Sequence, residues 1–207
     1  ARFDLALGED LEASLRHRIE VSPTLTRFFK HRDWRQQILP LYLQYQKQIT
    51  QQKDILAPWV THGDWHANNL FFRDDRIVSV IDFHLTDVSF RLYDLAVALD
   101  RNGILWLDIL SGNSEAVRCD VLRLLLKGYR SLVPISEPES ALLSLLMPVH
   151  QLDLALTNIE YYSGIENNNE RAEWAYSIYL LDHTRYYSTK AGRRIMDFVK
   201  THAASAG

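Results

Sequence analysis

One segment constrains the fold of this chain more strongly than any other: His62-Gly63-Asp64-Trp65-His66-Ala67-Asn68-Asn69. A second acid, Asp82 in Val80-Ile81-Asp82-Phe83, follows thirteen residues after Asn69. The order is therefore an acid, an amide five residues later, and another acid at the end of the next apolar run. This set is typical of metal-assisted phosphoryl transfer, in which one carboxylate orients the acceptor hydroxyl while the other two groups hold Mg²⁺ against nucleotide phosphates.

Short strands are predicted on both sides of these polar groups. Trp59-Val60-Thr61 precedes the segment, Asn69–Arg73 and Arg76–Ile81 follow it, and Asp74-Asp75 supplies turn residues between the last two. A hairpin there returns Asp82 to the side on which the loop begins. The sequence therefore predicts that the two acids and the amide converge.

Helical periodicity predicts most of the remaining chain, with no repeat and no low-complexity tract. Helices are expected over Glu9–Glu20, along a stripe from Ile38 to Leu56, and over Leu92–Arg101, Ser114–Leu132, Ser136–Tyr162, Asn169–Tyr187 and Ser188–His202. Leu132 is expected to face inward, and Pro148 is a candidate break.

The order of these motifs resembles that of the aminoglycoside phosphotransferase and choline kinase family, whose members are relatives of the protein kinases. Protein kinases carry H-R-D-L-x-x-x-N followed by D-F-G. This chain has His62-Gly63-Asp64 with Asn69, and then Asp82-Phe83-His84. Gly63 in place of arginine is the small-molecule kinase variant, and Tyr93-Asp94-Leu95-Ala96 matches the helix start that comes next in the family.

The resemblance implies a fold and a domain organisation. The expected fold class is α+β and mostly α-helical, a protein-kinase-like C-terminal lobe in which a small β-hairpin carries the catalytic and metal motifs. Residues 1–207 are then a single domain. No glycine-rich loop precedes Asp64, since only Gly8 and Gly63 occur there, and the lysines lie in segments with helical periodicity. We therefore expect the N-terminal nucleotide-binding lobe to be missing, and this chain to be inactive alone.

The resemblance also implies roles for individual residues. Asp64 is expected to be the catalytic base, with Asn69 and Asp82 as metal ligands. His62 is expected to brace the loop as a buried partner, and Asp94 to hold the loop backbone from the start of its helix. A simple helix cap or first-turn charge explains Asp94 equally well. Taken singly, such an acid or amide is more often a turn residue, so the ordered set carries the interpretation.

Three further residues, His66, His84 and Asp87, are candidates for contact with phosphate or the acceptor. His66 lies two positions after the base, where protein kinases often carry a phosphate-facing lysine. The other two lie just after the metal aspartate, where the family varies, so the pattern fixes no role for them.

Asp153, Glu160 and Trp174 are candidates for binding the acceptor. In family members that phosphorylate cationic acceptors, acids of this lobe gather the amines, and acids recur here from Asp153 to Asp182 among tyrosines. Asp153 and Glu160 lie two helical turns apart and so share a face. A solvated helix face for the acids and a helix core for the aromatic residues are the default interpretations.

The predicted function is transfer of the γ-phosphoryl group of ATP or GTP, with Mg²⁺, to a hydroxyl of a small molecule such as an aminoglycoside, an amino alcohol or a related metabolite. Two alternatives stay open. One is a non-catalytic ligand-binding or interaction module derived from a kinase lobe, and the other is a helical scaffold that pairs through an apolar lobe interface. The intact acids and amide favour the enzyme.

Composition narrows the partners and the compartment. A net charge of −3 gives no basic footprint, which argues against nucleic acid or an anionic membrane as the main partner. The single cysteine, Cys119, excludes an internal disulfide and suggests a reducing compartment. The polar N-terminus, with Glu9 and Asp10, is unlike a signal peptide, and we expect no segment apolar enough to span a bilayer. A cytoplasmic, soluble protein is expected.

Overall fold

The computed structural model describes residues 10–204. Along the chain, helices come first, then a group of short strands, then helices again. The α-helices are α1 (Leu11–Glu20), α2 (Pro23–Phe29), α3 (Trp34–Thr50), α4 (Tyr93–Gly103), α5 (Trp106–Leu110), α6 (Cys119–Arg130), α7 (Glu137–Glu160), α8 (Asn169–Trp174), α9 (His183–Tyr187) and α10 (Lys190–Ala203). The strands are β1 (Pro58–Thr61), β2 (Leu70–Arg73), β3 (Arg76–Val80) and β4 (Asp87–Phe90). The predicted fold class, α+β and mostly α-helical, is confirmed.

The chain groups into two compact units. Of the described residues, the first unit contains 54–147 and 194–204, and the second contains 10–53 and 148–193. Helices α7 and α10 contribute residues to both units. A single domain over residues 1–207 stays a prediction. The predicted helix start at Glu9 lies outside the described residues.

The predicted β-hairpin of the first unit is confirmed. Strand β2 pairs antiparallel with β3, and both turn residues have positive φ, 49° at Asp74 and 61° at Asp75. Two residues with positive φ form the type I′ turn, whose twist matches that of the strands it joins. The turn therefore returns the chain directly to Asp82.

A second antiparallel pair joins β1 to β4, with Thr61 opposite Asp87. The sequence pattern does not indicate this pair, because β4 is only four residues long and its partner lies far away in sequence. The Thr61 hydroxyl also donates to the Asp87 carbonyl at 3.1 Å. The pair fixes the point at which the chain leaves β1 and enters the segment that begins with His62.

Helices α4 and α6 form the helical core of the first unit. Leu95 and Leu99 of α4 are buried, as are Leu122 and Leu126 of α6. The prediction that Leu132 faces inward is wrong, because α6 ends at Arg130 and Leu132 is 86% exposed. The apolar spacing that continues past Arg130 therefore does not place Leu132 in the core.

The second unit has a core of its own, built from α1–α3, the later part of α7, α8 and the helical turns that follow it. The core side chains are Leu11, Leu15, Ile19, Leu25, Phe28, Phe29, Trp34, Ile38, Leu39, Tyr42, Leu152, Ala155, Leu156, Ile159, Ala172, Ala175, Tyr176, Leu180 and Leu181. Two stretches, Tyr161–Ile165 and Ala175–Asp182, are wound as π-helix. The candidate break at Pro148 is wrong, since α7 continues through it, as a buried helix can when packing outweighs local propensity.

One helical stretch among residues 10–204 is long and apolar enough to cross a membrane by length and composition alone, so the expectation of no such segment is wrong on that measure. The stretch is Glu137–Ile165, and 83% of its most apolar window is buried inside the protein. The core helix of a globular protein has the same properties. The stretch is therefore weak evidence for a membrane span.

The hairpin of the first unit exposes large apolar side chains. Phe71, Phe72, Ile77 and Val78 are each more than half exposed, as is Phe83 just beyond β3. Exposed apolar side chains grouped in this way are uncommon on an isolated surface. The unit therefore has the kind of apolar surface that pairing through a lobe interface would require.

Candidate active site

The carboxylate of Asp94, in the first turn of α4, holds the loop that follows β1. The backbone N–H of His62 donates to Asp94 Oδ2 at 2.8 Å, and that of Gly63 donates to Oδ1 at 2.9 Å. Hydrogen bonds to an ionised acceptor are stronger than neutral ones. Both oxygens of one carboxylate thus fix two successive peptide groups, which supports the loop-bracing role that the family resemblance implies.

Gly63 is required where it stands. Its φ is +84°, and a Cβ built on it would lie 2.3 Å from the carbonyl oxygen of Leu85. Any side chain would therefore have both an unfavourable backbone conformation and a collision with a backbone atom. The loop passes this point only with glycine.

His62 links the loop to the end of β3. Its Nε2 lies 2.8 Å from the carbonyl oxygen of Ile81, and its Nδ1 accepts from the backbone N–H of Asp64 at 3.3 Å. Since Nδ1 accepts, the proton of a neutral ring lies on Nε2 and donates to Ile81. The buried ring also packs against Phe83, with centroids 4.8 Å apart.

Asn69 brings the second predicted group against the first. Its side-chain Nδ2 donates to the carbonyl oxygen of Asp64 at 2.9 Å and lies 3.4 Å from Asp64 Oδ2. Its own carbonyl oxygen accepts from the backbone N–H of Ile81 at 3.0 Å. Asn69 is only 6% exposed, so its orientation is set by these contacts.

Asp82 follows Ile81, whose N–H and carbonyl are both held by the loop. Its backbone is left-handed, with φ 67° and ψ 57°, a conformation that non-glycine residues seldom adopt and that is frequent at functional sites. The side chain is 43% exposed and its Oδ1 contacts Nδ1 of His84. The structure thus places Asp64 and Asn69 in direct contact, and ties Asp82 to them through Ile81.

The oxygen atoms of Asn69 and Asp82 fit Mg²⁺, which prefers hard oxygen ligands. Because the Asn69 amide nitrogen points at Asp64, the amide oxygen is left for a cation. Within residues 10–204, no group of three or more His, Cys, Asp or Glu side chains is arranged to hold a metal by itself. Mg²⁺ sites that use one or two protein ligands together with substrate phosphates need no such group. Metal binding by this pair stays a prediction.

The groups around Asp64 favour the ionised form of its carboxyl group. Its side chain is 14% exposed, and burial alone would raise its pKa. The hydrogen bond with His66 and the charge of Arg101 outweigh burial, with further help from Asn69, so the pKa of Asp64 is lowered below its ordinary value. The carboxylate is therefore ionised at neutral pH.

Arg101 and Asn102, in the last turn of α4, are site residues that the motif analysis missed. Arg101 Nη1 lies 3.4 Å from Asp64 Oδ1. The Asn102 side chain accepts from the backbone N–H of Ala67 at 2.9 Å and donates to the Ala98 carbonyl at 2.7 Å. A signal was present, because Arg101 follows Asp94 by two helical turns and so lies on the face that meets the loop.

The remaining candidates of the first unit have defined surroundings. His66 Nδ1 accepts from the backbone N–H of Asn68 at 3.3 Å, and its Nε2 lies 3.3 Å from Asp64 Oδ2. His84 is exposed and contacts Asp82. Asp87 lies in β4, where its carboxylate accepts from the N–H of Val88 at 2.7 Å. His66 is thus beside Asp64, the expected base, and His84 is beside Asp82, the expected metal ligand, whereas Asp87 is engaged with its own strand.

The acceptor candidates belong to the second unit. Glu160 forms an ion pair with Arg18, Asp153 is buried, and Trp174 packs edge-on against Tyr179 with centroids 4.6 Å apart. Other acids of this region form ion pairs too: Glu166 with Arg171, Glu173 with Arg32 and Asp182 with Arg185. These pairs favour the default interpretation for the acids, and acceptor binding by Asp153, Glu160 and Trp174 stays a prediction.

Comparison with known proteins gives one family match. The model of the Phosphotransferase enzyme family matches residues 4–130, which is more than half of the chain. The matched range contains Asp64, Asn69, Asp82 and Asp94, together with Arg101.

Individual relatives match a shorter stretch. A homoserine kinase of Granulibacter bethesdensis is 33% identical over 98 residues, 47% of this chain and 28% of the relative. Homoserine kinases of Phenylobacterium zucineum and Xanthobacter autotrophicus are each 32% identical over 104 residues, 50% of this chain and 30% of the relative. The matches thus span less than a third of the relatives' own length. No solved structure gives a significant match.

Replacement of Gly63 tests how the loop is held. We expect Gly63→Ala to lower the free energy of unfolding by more than about 3 kcal/mol, because it adds a backbone collision to the cost of a positive φ. Gly112→Ala is the matched control, since Gly112 has φ +106° but no atom within 4 Å of an added Cβ. It should cost only about 1–3 kcal/mol. Urea unfolding measures both, and equal losses would show that space at Gly63 is not limiting.

Titration of Asp64 tests the electrostatics of the site. We expect its carboxyl carbon to titrate below the ordinary value of 3.8 in an NMR experiment, and Arg101→Gln to raise the midpoint. Arg118→Gln, whose side chain faces Asp120 instead, should leave it in place. Since the folded pKa is depressed, Asp64 stabilises the fold above the ordinary value, and that stabilisation disappears as the pH falls through the folded pKa. A midpoint above 3.8 would contradict this description.

Proposed function

We propose that this chain, which belongs to the Phosphotransferase enzyme family, carries the catalytic loop of a small-molecule kinase that moves the γ-phosphoryl group of ATP or GTP to a hydroxyl. One observation carries the proposal: Asp64 and Asn69 are in contact within one loop, and that loop is hydrogen-bonded to the backbone of Ile81, the residue before Asp82. An acid and an amide packed together beside a second acid are what such chemistry requires.

Asp64 has the properties of the residue that receives the acceptor hydroxyl. Its lowered pKa keeps the carboxylate ionised at neutral pH, so that it accepts a hydrogen bond from the hydroxyl and aims the oxygen at the phosphorus. The contacts from Asn69, His66 and Arg101 restrict its rotation. Because phosphoryl transfer depends mainly on positioning and charge, a fixed carboxylate contributes more than a strongly basic one.

Asn69 and Asp82 are the residues that would hold Mg²⁺. The ion, when bound, neutralises phosphate charge and aligns the transferred group. The role of the chain is to present the amide and carboxylate oxygens in fixed directions. For Asn69 this follows from its two contacts with Asp64, and for Asp82 from the left-handed backbone between β3 and β4.

The acceptor is proposed to be a small hydroxyl compound that carries an amine. Aminoglycosides and amino alcohols fit this description, and so does the hydroxy amino acid that gives the matched homoserine kinases their name. Those relatives support a small metabolite as the acceptor.

An activity assay tests the proposed function. The full-length protein would be incubated with radiolabelled ATP, Mg²⁺ and a panel of aminoglycosides, amino alcohols and hydroxy amino acids. We expect Asp64→Asn to lower kcat by about 10²- to 10⁴-fold, the range for a lost general base, with nucleotide binding retained. Asp108→Asn, on the exposed helix α5, is the matched control and should keep full activity.

Two outcomes of this assay would contradict the proposal. One is phosphoryl transfer that survives Asp64→Asn, which would place the base elsewhere. The other is nucleotide binding with no transfer to any hydroxyl compound of the panel, which would favour the non-catalytic binding module.

A further inference from the structure

The guanidinium of Arg101 has more N–H donors than its contact with Asp64 uses. Its guanidinium touches Asp64 through Nη1 alone, at 3.4 Å, which is longer than the ~2.8 Å of a good charge-assisted hydrogen bond. Within residues 10–204, Asp64 is the one carboxylate within ion-pair distance of Arg101. The side chain is 28% exposed. A guanidinium has five N–H donors in a planar fork, so most of them are available to a ligand.

The two carboxylate oxygens of Asp64 face different partners. Oδ2 faces the amide of Asn69 at 3.4 Å and the ring of His66 at 3.3 Å, whereas Oδ1 faces Arg101. Asn69 is the proposed metal ligand, so the Oδ2 side is the side of the phosphates. Arg101 therefore stands at the other oxygen of the base, beside the position of an incoming acceptor.

Helix α4 holds this guanidinium in a defined place. Asp94 and Asn102 fix the two ends of the helix to the loop through three hydrogen bonds, at 2.8, 2.9 and 2.9 Å. Arg101 lies between them on the same face. A cation placed by a helix with both ends anchored is suited to recognising a ligand group at a fixed distance from the base.

We propose that Arg101 determines acceptor specificity: its guanidinium binds a carboxylate of the acceptor while Asp64 receives the acceptor hydroxyl. This inference rests on the proposed function and names the acceptor class as a compact hydroxy acid. Arg101 is well suited to this task because a guanidinium matches a carboxylate with two parallel hydrogen bonds. An amino alcohol lacks the carboxylate and is disfavoured.

The geometry limits the size of the acceptor. Hydrogen bonds of about 2.8 Å from Asp64 to the hydroxyl and from Arg101 to the carboxylate add to the 3.4 Å contact between the two side chains. When the hydroxyl bonds Oδ1 and the carboxylate bonds Nη1, the two acceptor groups lie no more than about 9 Å apart. A molecule with only a few bonds between these groups meets this limit.

Matched ligand pairs test the inference without requiring turnover. The isotopically labelled 207-residue chain would be titrated by NMR with L-homoserine and 3-aminopropan-1-ol, with L-serine and 2-aminoethanol, and with glycerate and ethylene glycol. Within each pair the second compound lacks only the carboxylate. We expect the best hydroxy acid to bind at least about tenfold more tightly than its partner, as one charged hydrogen-bonded contact allows.

Variants then assign the difference to Arg101. Arg101→Gln should remove the preference by weakening only the hydroxy acid, and Arg101→Lys should restore part of it. Arg118→Gln, at the exposed position just before α6, should leave the preference unchanged. A general role in positioning Asp64, or in favourable interaction with the end of α4, would instead affect both members of a pair equally.

Three results would overturn the inference: equal affinity within every pair, equal weakening of both members by Arg101→Gln, or binding of no hydroxy acid at millimolar concentration. Failure of the proposed function gives a different result, namely no phosphoryl transfer in the radiolabel assay. That result does not depend on how Arg101→Gln changes ligand binding. Selective loss of hydroxy-acid binding in Arg101→Gln supports the inference.

Discussion

The active-site loop depends on one carboxylate that accepts two consecutive backbone N–H groups. Asp94 binds the peptides of His62 and Gly63 from the first turn of α4. A loop between two short strands has few hydrogen bonds of its own, and this pair replaces the ladder that a longer strand would have supplied. Everything that follows in the loop, including Asp64 and Asn69, takes its direction from that anchor. Without it, the loop would be joined to α4 through Asn102 and Arg101, which contact Ala67 and Asp64.

The loop then creates the electrostatic environment of its own acid. Burial of Asp64 would favour the protonated form, but His66 from the loop and Arg101 from α4 favour the ionised form and prevail. His66 contacts one oxygen of this carboxylate, Oδ2, and Arg101 contacts the other, Oδ1. A carboxylate held from both sides has little freedom to rotate, as the proposed orientation of an acceptor hydroxyl by Asp64 requires. The contacts between the loop and α4 therefore fix the position of Asp64 and also favour its ionised form.

The sequence predicts those features that depend on neighbours along the chain. The hairpin was predictable because Asp74-Asp75 supplies a turn between apolar runs, and α4 because its apolar periodicity and Tyr93-Asp94 start are local. The order of Asp64, Asn69 and Asp82 identified the loop for the same reason. Each of these signals lies within a few residues of the structure that it predicts.

Features that depend on distant contacts were missed. Strand β4 forms because β1 pairs with it, and a periodicity over only four residues does not indicate such a pairing. Arg101 meets Asp64 across 37 positions of sequence, and only its two-turn offset from Asp94 could have indicated that it faces the loop. Leu132 shows the converse error, since apolar spacing continued past the point where α6 ends. Periodicity identifies a helix face, but tertiary contacts decide where that face stops.

Amide hydrogen exchange at His62 and Gly63 tests the central claim most directly, because those two N–H groups are the ones that Asp94 accepts. The account predicts slow exchange of both amides in the native protein. It also predicts acceleration of at least about tenfold in Asp94→Ala, corresponding to loss of roughly 1.4 kcal/mol or more of local stability, while the Leu99 amide in the middle of α4 changes little. Exchange of the His62 and Gly63 amides in the native protein at the rate of an exposed loop would contradict the account.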